Sequence, residues 1–181
     1  SQSPWMSKDK LNSELLAAPV AFDGTKRVEM GGEAQFGYLD RFSIAFRVKS
    51  TTGNGVLLHR MADDEASPSG YGFHLENGKL QMHFAVRRLD DGILVESKRA
   101  LEKNRWYHVA MTYDGSRTAA GIQLFVDGEP WELDVQLDAM NQDFRSATKL
   151  TFGAGGGWPD SFTGELAGFR AYSRVLRPAD V

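Results

Sequence analysis

The chain has 181 residues, 41% hydrophobic and 25% charged, which suits one domain with a full-sized core. A formal charge of −3 is too small to point to a partner, and in place of a nucleic-acid binder's basic stripe only short pairs such as Arg87-Arg88 and Lys98-Arg99 occur. No apolar run approaches the ~20 residues of a membrane helix, so no membrane insertion is expected, and with no cysteine there is no disulfide or thiol chemistry.

In chain order, "SQSPWMSKDK" has no apolar signal core, and "DKLNSELLAA" reads as a short helix within an N-terminal extension, residues 1–18. From residue 19 to 181 alternation with a period of two dominates. "VAFDG" and "KRVEM" open the series. In "RFSIAFRVK" Phe42, Ile44, Phe46 and Val48 share one face, and "GVLLHRM" follows. "GYGFHLE" sets Tyr71, Phe73 and Leu75 on one side, and "KLQMHFAV" does the same with Leu80, Met82, Phe84 and Val86. Asn77-Gly78 between them marks a two-residue hairpin, because both positions tolerate positive φ. "ILVES", "RWYHVAMTY", "GIQLFV", "PWELDVQL", "KLTFG" and "FTGELAGFRAY" complete about a dozen strands. Turn signals at Asp23-Gly24, Asp91-Gly92, Asp114-Gly115 and Asp127-Gly128 fall between them. The pattern predicts an all-β sandwich of two packed antiparallel sheets.

Two stretches narrow this further. "RWYHVAMTYDGSRTAAGIQLFVDGEPW" and "FTGELAGFRAYSRVLRPADV" resemble the core signature and closing segment of laminin-G-like and pentraxin-like domains. The resemblance implies a concanavalin A-like jelly roll that binds glycans or proteins, often with calcium, as a module of a larger extracytoplasmic bacterial protein. Both chain ends fit a piece of such a protein. Trp106 and Phe125 are expected to fill the sandwich core.

Candidate sites are then weighed residue by residue. "WELDVQLD" falls one residue short of a jelly-roll glycosidase motif: Gln136 stands where a third carboxylate is needed and cannot pass a proton. Alternation places Trp131, Leu133, Val135 and Leu137 inside and Glu132, Asp134, Gln136 and Asp138 in water, so no catalytic residue is assigned. His74 and His83 flank the hairpin as diagonal neighbours on the polar face. With Tyr71, Arg87 and Trp158 they form the expected ligand-binding set, since a sugar's apolar face stacks on a ring. His108 belongs to the signature, and His59 has no pattern around it. Calcium needs six to eight oxygens. Asp23 with Glu165, and Asp63 with Asp64 and Glu65, are the expected ligands, "LDAMNQDF" with Asp138, Asn141 and Asp143 being a further cluster. The first expectation is a non-catalytic module recognising a glycan or a neighbouring domain. The alternatives are a structural spacer and a hydrolase or lyase of the same fold.

Overall fold

The computed structural model describes residues 11–64, 68–87 and 90–181. Glu65, Arg88 and the first part of the expected helix lie outside them. Two seven-stranded antiparallel sheets face each other. Sheet A contains β1 (Leu11–Leu15), β2 (Val20–Asp23), β4 (Phe42–Ser50), β9 (Trp106–Tyr113), β10 (Ile122–Val126), β11 (Glu129–Trp131) and β14 (Thr163–Tyr172). Sheet B contains β3 (Val28–Glu29), β5 (Gly55–His59), β6 (Gly70–Glu76), β7 (Lys79–Arg87), β8 (Asp91–Ala100), β12 (Leu133–Asp138) and β13 (Thr151–Phe152), in the order β12-β8-β7-β6-β5-β13-β3. The expected jelly-roll sandwich of two antiparallel sheets is what forms. No helix among the described residues is long and apolar enough to cross a membrane.

Alternation builds the core. Phe42, Ile44, Phe46 and Val48 of β4 meet Tyr71, Phe73, Leu75, Met82 and Phe84 across the sandwich, all fully or almost fully buried. Phe42 stacks on Phe36 at 4.2 Å, and Phe84 on Phe144 at 5.0 Å, which closes one end of the core with aromatic rings.

Four expectations are corrected. Leu11–Leu15 is a strand, not a helix: it pairs with Phe169–Tyr172 of β14, and tertiary pairing overrides a modest helix propensity. "PWELDVQL" is two strands, because the chain leaves sheet A after Trp131 and joins sheet B at Leu133. Val135 keeps its phase opposite buried Val95 but is 56% exposed on the edge strand β12, and the register shift after it turns Leu137, also expected inside, to the outer face opposite Leu94. Trp106 does not fill the core either. Tyr107, Val109, Met111 and Tyr113 point inward, which turns Trp106 to the outside at 37% exposure. Phe125 is buried, but on the outer face of sheet A with Ala45 and Ala110.

Candidate functional site

Pairing register places the polar residues of sheet B in transverse rows on its outer face. One row runs Val56, His74, Gln81, Glu96, Asp134 across β5, β6, β7, β8 and β12. The next runs His59, Gly72, His83, Leu94, Leu137 across the same strands. Directly opposed side chains begin ~4.5–5.5 Å apart at Cβ, so each row is a continuous strip.

Trp158 crosses the two rows. Its ring lies parallel to His74, with centroids 5.4 Å apart and 6° between planes. It meets His83 and His59 edge-on at 6.3 and 6.5 Å. The space for the indole exists because position 72 is glycine: a Cβ there would stand 2.5 Å from the ring. His74 and His83, expected to be solvated or to face a ligand, are therefore 5% and 3% exposed. Trp158 remains half-buried, at the rim of the open part of the strip.

The glycine-rich loop before Trp158 is pinned by three residues. Gly156 N–H donates to Asp63 Oδ1 at 2.6 Å, and Arg27 pairs with Asp63 Oδ2 at 3.4 Å and with Glu29 at 3.2 Å. Burial would raise the Asp63 carboxyl, but the Gly156 amide and Arg27 outweigh it and hold the group below the ordinary carboxylate value. His59 Nε2 donates to Ala154 O at 2.9 Å, while its Nδ1 accepts from Met61 N–H at 3.1 Å. That bonding requires neutral imidazole, and burial lowers His59 below the ordinary value, with Arg27 adding to it and the Ala154 carbonyl opposing.

Beyond Trp158 the strip is open and acidic. Gln81 Nε2 donates to Glu76 at 2.8 Å and to Glu96 at 2.7 Å, and Asp134 faces Glu96 across β8 and β12. Glu132 points to solvent at 82% side-chain exposure and pairs with Lys98 at 3.1 Å, so "WELDVQLD" assembles no pocket of carboxylates around it.

The remaining expected site residues fall elsewhere. Tyr71 is in the core at 1% exposure, not in a loop, and its hydroxyl donates to Ala34 O at 2.5 Å. Arg87 pairs with Asp90 at 3.1 Å at the end of β7. Asp23 Oδ1 accepts from Thr25 N–H, Thr25 Oγ1 and Lys26 N–H, which caps its own turn. Glu165 lies 3.9 Å from Lys49. Among the described residues no three His, Asp or Glu side chains are placed to hold a metal ion. Gln81 and Glu96 carry no motif: counting back from the Asn77-Gly78 hairpin would have set Gln81 opposite His74, whereas only the register of β7 and β8 brings in Glu96.

Residues 22–181 match a laminin G family model described as the Concanavalin A-like lectin/glucanases superfamily. The chain belongs to this superfamily. A search of curated proteins found no match. Among solved structures, this superfamily member resembles the carbohydrate-binding module CBM40 of the Ruminococcus gnavus IT-sialidase, bound to α2,3 sialyllactose. That likeness has 16% identity and a TM-score of 0.59, covering 91% of this chain and 96% of that one. Leech intramolecular trans-sialidase matches at 18% identity and a TM-score of 0.66, over 93% of this chain and 27% of that one. Domains LG4-5 of the mouse laminin α1 chain match at 18% and 0.60, over 87% and 43%. The chain thus spans under half of the last two, and at these identities the likeness is one of fold.

Proposed function

We propose that this concanavalin A-like domain is a non-catalytic carbohydrate-binding module that takes a neutral glycan on the outer face of sheet B, beside Trp158. The observation that carries this reading is the placement of Trp158 at the head of the Gln81–Glu96–Asp134 strip. An indole edge offers an apolar wall for the C–H face of a sugar ring. Beside it, the carboxylates and the amide oxygen accept hydrogen bonds from sugar hydroxyls, and charged acceptors make the stronger ones. The run of acids, Glu76, Glu96 and Asp134, favours neutral sugars over anionic ones. Fold neighbours that include a module bound to sialyllactose support a carbohydrate role for this architecture, not this sugar or this face. We place the module outside the cytoplasm, as the laminin G resemblance implies.

The test is a glycan array with and without calcium, followed by calorimetry on the strongest neutral hit. Trp158→Ala and Glu96→Gln should each weaken that hit about tenfold or more while the melting curve stays cooperative. Silence across a broad array would point instead to a spacer that docks on neighbouring domains.

A further inference from the structure

We propose a second binding site, on the outer face of sheet A, for a saccharide that carries a carboxylate, with Arg47 as the residue that takes the carboxylate. It stands on observations independent of the Trp158 face.

A groove of about 670 Å³ runs along this face, lined by Arg47, His108, Asp127, Gly168, Arg170 and Tyr172 among others. That volume is in the range of small-ligand sites, ~300–1,000 Å³. Register sets its floor: Ala167, Arg47 and His108 form one row across β14, β4 and β9, and Arg170, Ala45, Ala110 and Phe125 the next.

Among the described residues, Arg170, Glu14 and Asp180 of the groove are ion-paired, whereas Arg47 and Asp127 are not. Glu14 holds Arg170 at 3.2 Å, and Arg170 also bonds to the Tyr172 side chain. Asp180 is held by Arg174 and Arg177 at 3.3 and 3.1 Å. Asp127 Oδ1 accepts the backbone N–H of His108 at 2.9 Å. Arg47 makes no ion pair with any described residue, is exposed, and has its guanidinium 5.9 Å from the centre of the Trp106 ring. A guanidinium presents paired N–H donors that match a carboxylate bidentately.

The backbone keeps that approach open. β14 bulges between Ala167 and Arg170, and Gly168 sits there at φ +61°, where any Cβ would come within 3.3 Å of Arg47 Nε. Trp106, turned out of the core, supplies an apolar lip beside the cation. His108 adds a polar group to the floor. Burial lowers it below the ordinary imidazole value, with Arg47 and Arg170 adding and Asp127 opposing.

The probes are digalacturonate, glucuronate and N-acetylneuraminate, each titrated against its own methyl ester by calorimetry. At least one acid should bind more tightly than its ester, with affinity falling as salt rises. Arg47→Gln should cost that acid about tenfold or more, and Arg47→Lys should recover only part, since it keeps the charge but not the fork. Trp158→Ala should leave this binding unchanged while weakening any neutral glycan. The proposal is overturned if no acid outbinds its ester, or if Arg47→Gln binds the acid as well as the parent. Neither result bears on the Trp158 face, whose failure is read from the neutral array.

Discussion

Trp158 lies flat against His74, and the glycine at position 72 is what lets it do so. Adding one methyl at position 72 should displace the indole. Gly72→Ala places a Cβ 2.5 Å from the ring, and overpacking of that kind costs ~1–3 kcal/mol. Chemical denaturation should show the loss, and near-UV circular dichroism should show a changed tryptophan band. An unchanged band would mean the ring does not sit over Gly72.

The loop that carries Trp158 should loosen in acid. His59 has a folded pKa below its unfolded value of about 6.5, so the unfolded chain takes up the proton first. Its contribution is fully present above pH ~6.5 and is lost as pH falls from there through the lowered folded value. Asp63, also lowered, acts further down: its contribution is present above the ordinary carboxylate value and is lost as pH falls through the depressed one. Melting temperature should therefore fall in acid from just below neutrality. His59→Gln should shrink the upper step, the remainder coming from His108, which burial lowers likewise. A wild-type profile flat between pH 7 and 5 would contradict the bonding drawn for His59.

Asp63→Ala should free the amide of Gly156 without unfolding the sandwich, since the side chain is 57% exposed. Hydrogen exchange at Gly156 should quicken while exchange in β6 and β7 stays slow. Equal protection at Gly156 in both proteins would show that Asp63 does not anchor the loop.

Tyr71→Phe should destabilise by about 1–3 kcal/mol, because it leaves the Ala34 carbonyl without its partner in the core. Glycan binding should be unaffected, because Tyr71 faces away from the strip. Urea denaturation and calorimetry measure the two effects separately.

Glu132→Gln should change neither the melting temperature nor binding, given the exposure of its ion pair with Lys98. No turnover of aryl glycosides is expected from wild type. Turnover abolished by Glu96→Gln or Asp134→Asn would instead mark those cross-strand carboxylates as a hydrolytic pair.

Alternation in the sequence determined the sandwich. Where large apolar and polar residues strictly alternate, as from Phe42 to Val48, only one face can be hidden, and the inward set follows from residue spacing alone. The same rule failed where both faces carry apolar residues. Trp106 and Tyr107 are adjacent, and which one turns inward depends on the register with β4. It failed at Leu137, where a bulge slips the phase by one residue and turns the side chain to the outer face opposite Leu94.

The two sites belong to the tertiary structure for the same reason. The Asn77-Gly78 hairpin sets Gln81 opposite His74, but nothing local says that Glu96 and Asp134, on two further strands, share the row. Trp158 reaches His74 through a glycine loop whose path is set by Asp63 and His59, far from it in the chain. Strand spacing orders residues along one chain segment, whereas a binding surface is laid out across segments by register and loop anchoring, which only the folded sandwich defines.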